Sequence, residues 1–92
     1  MENIRSLLPN NMNYIITFYS HFGAVHFKKI CQLKGLEAKM MPVPRDLSSS
    51  CGTCVRYVSD IPCPTDTYPE EAEQIVRITA SGYEIVYKAA DS

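Results

Sequence analysis

A β-branched and aromatic run that leads directly into an amphipathic helix constrains the fold of this chain most strongly. Residues 14–19 are all β-branched or aromatic, which is typical of a β-strand. Ser20 fits the N-cap of a helix, and Gly35 fits the position just after its end. Between them, apolar side chains recur at helical spacing, namely Ala24, Phe27, Ile30 and Cys31. The pattern predicts a strand followed at once by a helix over residues 21–34.

Three more strands are predicted further along the chain, over residues 37–43, 53–58 and 83–87. Pro42 and Pro44 cannot donate hydrogen bonds to a neighbouring strand, so they mark a strand end or edge. Strand alternation over residues 53–58 directs Thr53, Val55 and Tyr57 to one face of the sheet and Cys54, Arg56 and Val58 to the other.

A second helix is predicted from Thr67 to Gly82. Thr67 and Glu70 form a capping box, and the expected buried stripe consists of Ala72, Ile75, Val76 and Thr79. The order β-α-β-β-α-β predicts a ferredoxin-like α+β fold, a two-layer sandwich with both helices on one face of an antiparallel four-stranded sheet. The core between the layers is expected to contain Ala24, Phe27, Ile30, Ile75 and Val76.

The length of 92 residues is enough for one small domain and too short for two. We expect a flexible arm over residues 1–13, the domain over residues 14–88 and a frayed tail over residues 89–92. The net charge of -1 predicts no nucleic-acid partner, and no apolar run approaches the ~20 residues of a membrane span. The N-terminus lacks the apolar region of a secretory signal, so the expected location is the cytoplasm.

Four cysteines are present, Cys31, Cys51, Cys54 and Cys63. In a cytoplasmic protein they are expected to be reduced thiols. Cys51 and Cys54 form a Cys-x-x-Cys motif, which in such a protein indicates redox, metal-binding or carrier chemistry. Cys31 falls on the apolar stripe of the first helix and is expected in the core.

The surroundings of Cys51 favour its thiolate, the form in which a cysteine is nucleophilic. Arg45 supplies positive charge in the same loop, while Ser50 and Gly52 keep the loop polar and allow backbone N–H groups to approach. His21 lies at the start of the helix, just after the first strand. Two roles for it stay open: a structural or exposed residue, which is the expected one, and a proton shuttle at this end of the fold.

Two interpretations of Cys54 remain open. It packs as a small apolar residue of a strand, or it is a resolving thiol that forms a disulfide with Cys51. A zinc site would need four ligands, and the sequence offers a single Cys-x-x-Cys pair, so neither a metal nor another cofactor is predicted.

A family resemblance rests on residues in the first two thirds of the chain, namely Phe18, Ser20, Ala24, Pro42-Val43-Pro44-Arg45, Ser50-Cys51-Gly52 and Arg56. With these residues the chain resembles the selenium/sulfur carrier protein-like family of small bacterial domains. The resemblance implies that Cys51, which matches the family's Cys-Gly, holds a sulfur or selenium atom. Cys54 lies outside the family pattern and opens a dithiol alternative.

The leading hypothesis is therefore a carrier, not an enzyme, that holds a persulfide or selenopersulfide on Cys51. Its expected partners are the proteins that donate and accept the sulfur or selenium atom. Two alternatives are a small thiol–disulfide oxidoreductase that uses Cys51 and Cys54, and an interaction module without chemistry. The sequence leaves the oligomeric state open.

Overall fold

The structure, a computed structural model, describes residues 12–64 and 69–89. Within those ranges the chain forms one helix and five strands, in the order β1 (Met12–Phe18), α1 (His21–Leu33), β2 (Ala38–Pro42), β3 (Thr53–Ser59), β4 (Ala72–Thr79) and β5 (Gly82–Lys88). The strands build a single sheet in the order β2-β3-β1-β4-β5, and every neighbouring pair is antiparallel. The central strand is therefore β1, which contains most of the β-branched and aromatic run.

The predicted capping of α1 is confirmed. The Ser20 side chain accepts a hydrogen bond from the backbone N–H of Gly23 at 3.2 Å. At the other end Gly35 has a φ of 79°, and its N–H donates to the carbonyl of Gln32 at 3.0 Å. This left-handed conformation suits glycine, so the helix ends where the sequence predicts.

One face of the sheet is covered by α1, which packs on β1, β2 and β3. Phe27 of the helix meets the ring of Tyr57 edge-on at 5.2 Å, and Tyr57 in turn stacks on Tyr14 at 5.4 Å. We call the buried residues around these rings the helix-side core; they are Tyr14, Ile16, Phe18, Ala24, Phe27, Cys31, Val55, Tyr57, Ala72 and Ile75.

The opposite face of the sheet has a smaller core of its own. Ile15, Cys54 and Val76 have exposures of 2 %, 0 % and 1 % although no helix covers them. Val43 and Leu47, from the connection between β2 and β3, pack against these three side chains together with Met41 and Ile78 of the strands. The connection between β2 and β3 thus folds over the sheet face that α1 leaves uncovered.

The ferredoxin-like prediction is wrong, because residues 72–79 form β4 where a second helix was predicted. Thr67, the predicted N-cap, lies outside the described residues. Ile75 enters the helix-side core and Val76 the opposite core, so adjacent residues are buried on both faces. A strand that is buried on both faces lacks the alternation of polar and apolar residues found in a half-exposed strand. Its apolar residues then resemble the buried stripe of a helix.

The first strand begins earlier than predicted, and the two ends of the chain lie mostly outside the described residues. β1 begins at Met12, two residues before the predicted start. Most of the predicted arm (residues 1–11) and of the predicted tail (residues 90–92) lies outside the described residues. In the part of the chain that is described, no helix has both the length and the apolar character needed to cross a membrane.

Candidate functional site

Backbone hydrogen bonds close the loop between β2 and β3 at its base and form a turn in its middle. Its start and end meet where the N–H of Val43 donates to the carbonyl of Gly52 at 3.1 Å. Its middle contains a turn in which the N–H of Leu47 donates to the carbonyl of Pro44 at 3.0 Å. These bonds fix the backbone on which the predicted site residues Arg45, Ser50, Cys51 and Gly52 are carried.

The backbone of β1 and two side chains of β4 hold the serine-rich part of this loop. The Ser49 hydroxyl donates to the carbonyl of Phe18 at 3.3 Å. Both the N–H and the hydroxyl of Ser50 donate to the carboxylate of Glu73, at 3.1 and 2.5 Å for the shortest contacts. Gln74 adds a bond from its amide nitrogen to the carbonyl of Ser48 at 3.2 Å. The loop is thus anchored directly before Cys51.

Cys51 and Gly52 form a tight turn that brings a backbone N–H to the thiol. Gly52 has a φ of +78°, and a Cβ placed there would meet no atom within 4 Å. Glycine is therefore required by the backbone conformation and not by crowding. The turn directs the N–H of Thr53 to the Cys51 Sγ at 3.4 Å, while the thiol lies 3.3 Å from the Thr53 carbonyl, to which it can donate. The sulfur thus has one backbone donor and one backbone acceptor within hydrogen-bond distance.

Burial separates Cys51 from the two buried cysteines of the domain. Cys51 is half-buried and packs against the helix-side core, whereas Cys31 and Cys54 have no exposed surface. Burial raises the pKa of the Cys31 thiol to about 11, and the charge of Cys63 adds to the rise. Burial likewise raises the pKa of Cys54 to about 11, with a further contribution from Cys51. Neither buried thiol is poised for reaction near neutral pH.

The Cys-x-x-Cys pair is split between the two faces of the sheet. Cys51 packs against the helix-side core, while Cys54 lies in the opposite core, with its Sγ 3.7 Å from the carbonyl of Pro42. Both are thiols, with no disulfide between them. A disulfide requires converging Cβ vectors, so joining the two sulfurs would require the start of β3 to leave the sheet.

The remaining predicted site residues form no hydrogen bond with the Cys51 thiol. Arg45 and His21 are both exposed, and neither side chain forms a hydrogen bond or an ion pair with any residue in the described ranges. Ser50 faces Glu73 and not the thiol. The described residues contain no cluster of three or more His, Cys, Asp or Glu side chains able to hold a metal ion.

Two residues that contact the loop were not predicted from the sequence as part of the site. Glu73 and Gln74 fall within the predicted second helix, and no contact with the loop was predicted for them. As neighbours on β4, Glu73 and Gln74 lie on opposite sides of the strand. Glu73 binds Ser50, and Gln74 binds Ser48. Their role depends on β4 pairing with β1, and no local pattern of residues reveals it.

The fold and the site define a small, mostly β domain in which a half-buried thiol, that of Cys51, stands in a glycine turn. The family model described as "Putative Se/S carrier protein-like" matches residues 13–62, which is more than half of the chain. The chain belongs to this family. Comparison with curated proteins and with solved structures gives no match. The matched residues run from β1 through β3 and contain Cys31, Cys51 and Cys54, whereas Cys63 lies just beyond them.

Proposed function

We propose that this protein carries sulfur or selenium as a persulfide or selenopersulfide on Cys51, between a donor and an acceptor protein of the cytoplasm. One observation carries the proposal. Of the three cysteines inside the family-matched segment, Cys31 and Cys54 are completely buried, and Cys51 alone has surface exposed to solvent. A carrier thiol has to be reached by two other proteins in turn, and accessibility is the first requirement of exchange.

The loading step in this proposal is a sulfur exchange that needs no external oxidant. The Cys51 thiolate attacks the outer sulfur of a donor persulfide, R–S–SH. The S–S bond of the donor breaks, and the donor cysteine leaves as a thiolate, while Cys51 becomes Cys51–S–SH. Charge, protons and the oxidation level of the transferred sulfur are conserved. Selenium follows the same step from a donor R–S–SeH.

The turn supports both halves of such a cycle. The Thr53 N–H is 3.4 Å from the Cys51 Sγ, so it stabilises the attacking thiolate and later the thiolate that leaves upon unloading. The half-buried position against the helix-side core shields part of the loaded group from solvent.

Transfer of labelled sulfur to single-cysteine variants tests this proposal. A cysteine desulfurase that carries a radiolabelled persulfide serves as donor, and the label bound to each variant is measured after non-reducing separation. Cys51→Ser is expected to abolish loading, while Cys31→Ser, Cys54→Ser and Cys63→Ser keep nearly the parental rate. Retained loading of Cys54→Ser also separates the carrier from a dithiol oxidoreductase, which needs both thiols. Parental loading of Cys51→Ser would refute the proposal.

A further inference from the structure

The single helix of the described chain carries a second apolar row on the side that faces solvent. Phe22, Val25 and Leu33 are exposed to 70 %, 36 % and 87 %. Steps of three and four residues place them on one row with Lys29, and the ring of His26 stacks on Phe22 at 6.2 Å. We call these five residues the outer stripe. The buried side of the helix, formed by Gly23, Ala24, Phe27 and Cys31, faces the other way.

An outer stripe of this kind is unusual for a helix that packs on one side only. Amphipathic helices of globular proteins place polar and charged residues opposite the buried face. Isolated exposed apolar side chains are common, but Phe22 and Leu33 are mostly exposed and share one row with Val25. A row of apolar side chains lined by polar groups marks a surface that binds another protein.

The charges on the helix restrict what that protein can be. From His21 to Lys34 the chain holds three of its nine basic residues and none of its ten acidic residues. Because Lys29 belongs to the outer stripe, a second copy of the same helix would bring equal charges to one interface, which is unfavourable. An acidic surface with an apolar centre complements the outer stripe in both respects.

The outer stripe also lies on the side of the sheet where Cys51 is reached. Cys51 packs against the helix-side core, and its loop is bound to the carbonyl of Phe18, three residues before α1 begins. A protein that binds the first turns of α1 therefore stands over the same face and the same end of the sheet as Cys51. The opposite face, with Cys54, is turned away from it.

We infer that the outer stripe is the docking surface for the protein that loads Cys51, and that this donor presents an acidic surface around an apolar centre. The inference rests on the proposed carrier function. The helix holds the donor while the Cys51 thiolate attacks its persulfide. Docking therefore governs the rate at low donor concentration and not the exchange itself.

The test compares two sources of sulfur for the full-length protein. One is a purified cysteine desulfurase that carries a labelled persulfide, and the other is labelled cysteine persulfide, which needs no docking surface. The variant is Phe22→Ser with Leu33→Ser, and the matched control is Tyr83→Ser with Ile85→Ser on β5. The control pair is also exposed, at 38 % and 59 %, but does not belong to α1.

The Phe22→Ser/Leu33→Ser variant is expected to load about tenfold more slowly from dilute desulfurase, a loss equivalent to about 1.4 kcal/mol of docking. Its loading from cysteine persulfide, its circular dichroism and its thermal midpoint should stay those of the parent. Higher ionic strength should slow the parent with the desulfurase but not with cysteine persulfide. The β5 control should behave as the parent in both assays.

Each contrary result has a separate meaning. If the parent loads from neither source, the carrier function itself fails. If the parent loads from cysteine persulfide but not from the desulfurase, or if the variant equals the parent with both, the docking inference is overturned while the carrier survives. If sedimentation shows a parental dimer that the variant dissociates, a second copy covers the outer stripe and the inference is also overturned.

Discussion

The backbone N–H and the hydroxyl of Ser50 both donate to the carboxylate of Glu73. These two hydrogen bonds, which we call the latch, hold the loop that carries Cys51 against β4. The bond joins residues 23 positions apart in the chain, and in the sheet β1 lies between β3 and β4. The carboxylate is thereby satisfied by the loop directly before the thiol. The position of Cys51 depends on this latch as well as on its own turn.

Removal of the latch is expected to make Cys51 more reactive. Glu73→Gln weakens the two charge-assisted bonds to Ser50, so the loop opens more often and iodoacetamide reaches the thiol faster, by about two- to fivefold for a loss of about 0.5–1 kcal/mol. Single-thiol alkylation followed by mass spectrometry measures the rate. Glu84→Gln, on β5, is the control and should leave the alkylation rate of Cys51 unchanged. Equal rates in the two variants would contradict the latch.

Gly52→Ala is expected to destabilise the fold by about 1–2 kcal/mol, because an alanine at a φ of +78° is strained. Gly35→Ala is a matched control, since Gly35 has a φ of +79° and equally open surroundings. Urea unfolding should give similar losses for both variants. Only Gly52→Ala should also slow the loading of Cys51, because only that turn directs the Thr53 N–H to the sulfur. Unchanged loading would show that the turn is dispensable for carriage.

The two buried thiols predict a loss of stability at alkaline pH. Burial raises the pKa of both Cys31 and Cys54 to about 11, above the value near 9 that a thiol has in the unfolded chain. Between these two values the unfolded chain binds fewer protons than the folded one, so the free energy of unfolding falls as pH rises through about 9 to 11. Urea midpoints across this range measure the effect. The Cys31→Ala/Cys54→Ala variant should show a shallower decline than the parent, and equal slopes would contradict the assignment.

Leu47 is expected to protect Cys54 from solvent. Leu47 packs on the small core of Ile15, Cys54 and Val76, and Leu47→Ala removes part of that cover at a cost of about 1–2 kcal/mol. Alkylation of Cys54 at high pH should become faster, while that of Cys31, under α1, should follow only the general loss of stability. Normalising both rates to the free energy of unfolding separates local exposure from global unfolding.

Local chemistry was sufficient to predict the first half of the domain. The run at residues 14–18, the Ser20 cap and the Gly35 end all act within a few residues of one another, and the structure confirms them. The separation of Val55 and Tyr57 from Cys54 also follows from alternation along one strand, and it holds. The family was also recognisable from the sequence, and the matched segment confirms it.

The error over residues 72–79 came from the same local pattern. Ala72, Ile75 and Val76 suit a helical stripe when one buried face is assumed. In the structure Ile75 and Val76 point into different cores, since the loop from Val43 to Leu47 covers the second face of the sheet. No pattern within β4 reports that a distant loop will cover its outer face.

The sequence by itself determined the strand–helix unit, which depends on neighbouring residues, and the membership of a carrier-like family, which depends on the family's motifs. Only the tertiary structure decided that Cys51 is half-buried while Cys54 is completely buried, and that Glu73 holds the loop. Burial and long-range hydrogen bonds depend on which strands pair and which loops cover them. These are properties of chain segments far apart in sequence, and they select which of two neighbouring thiols is accessible for reaction.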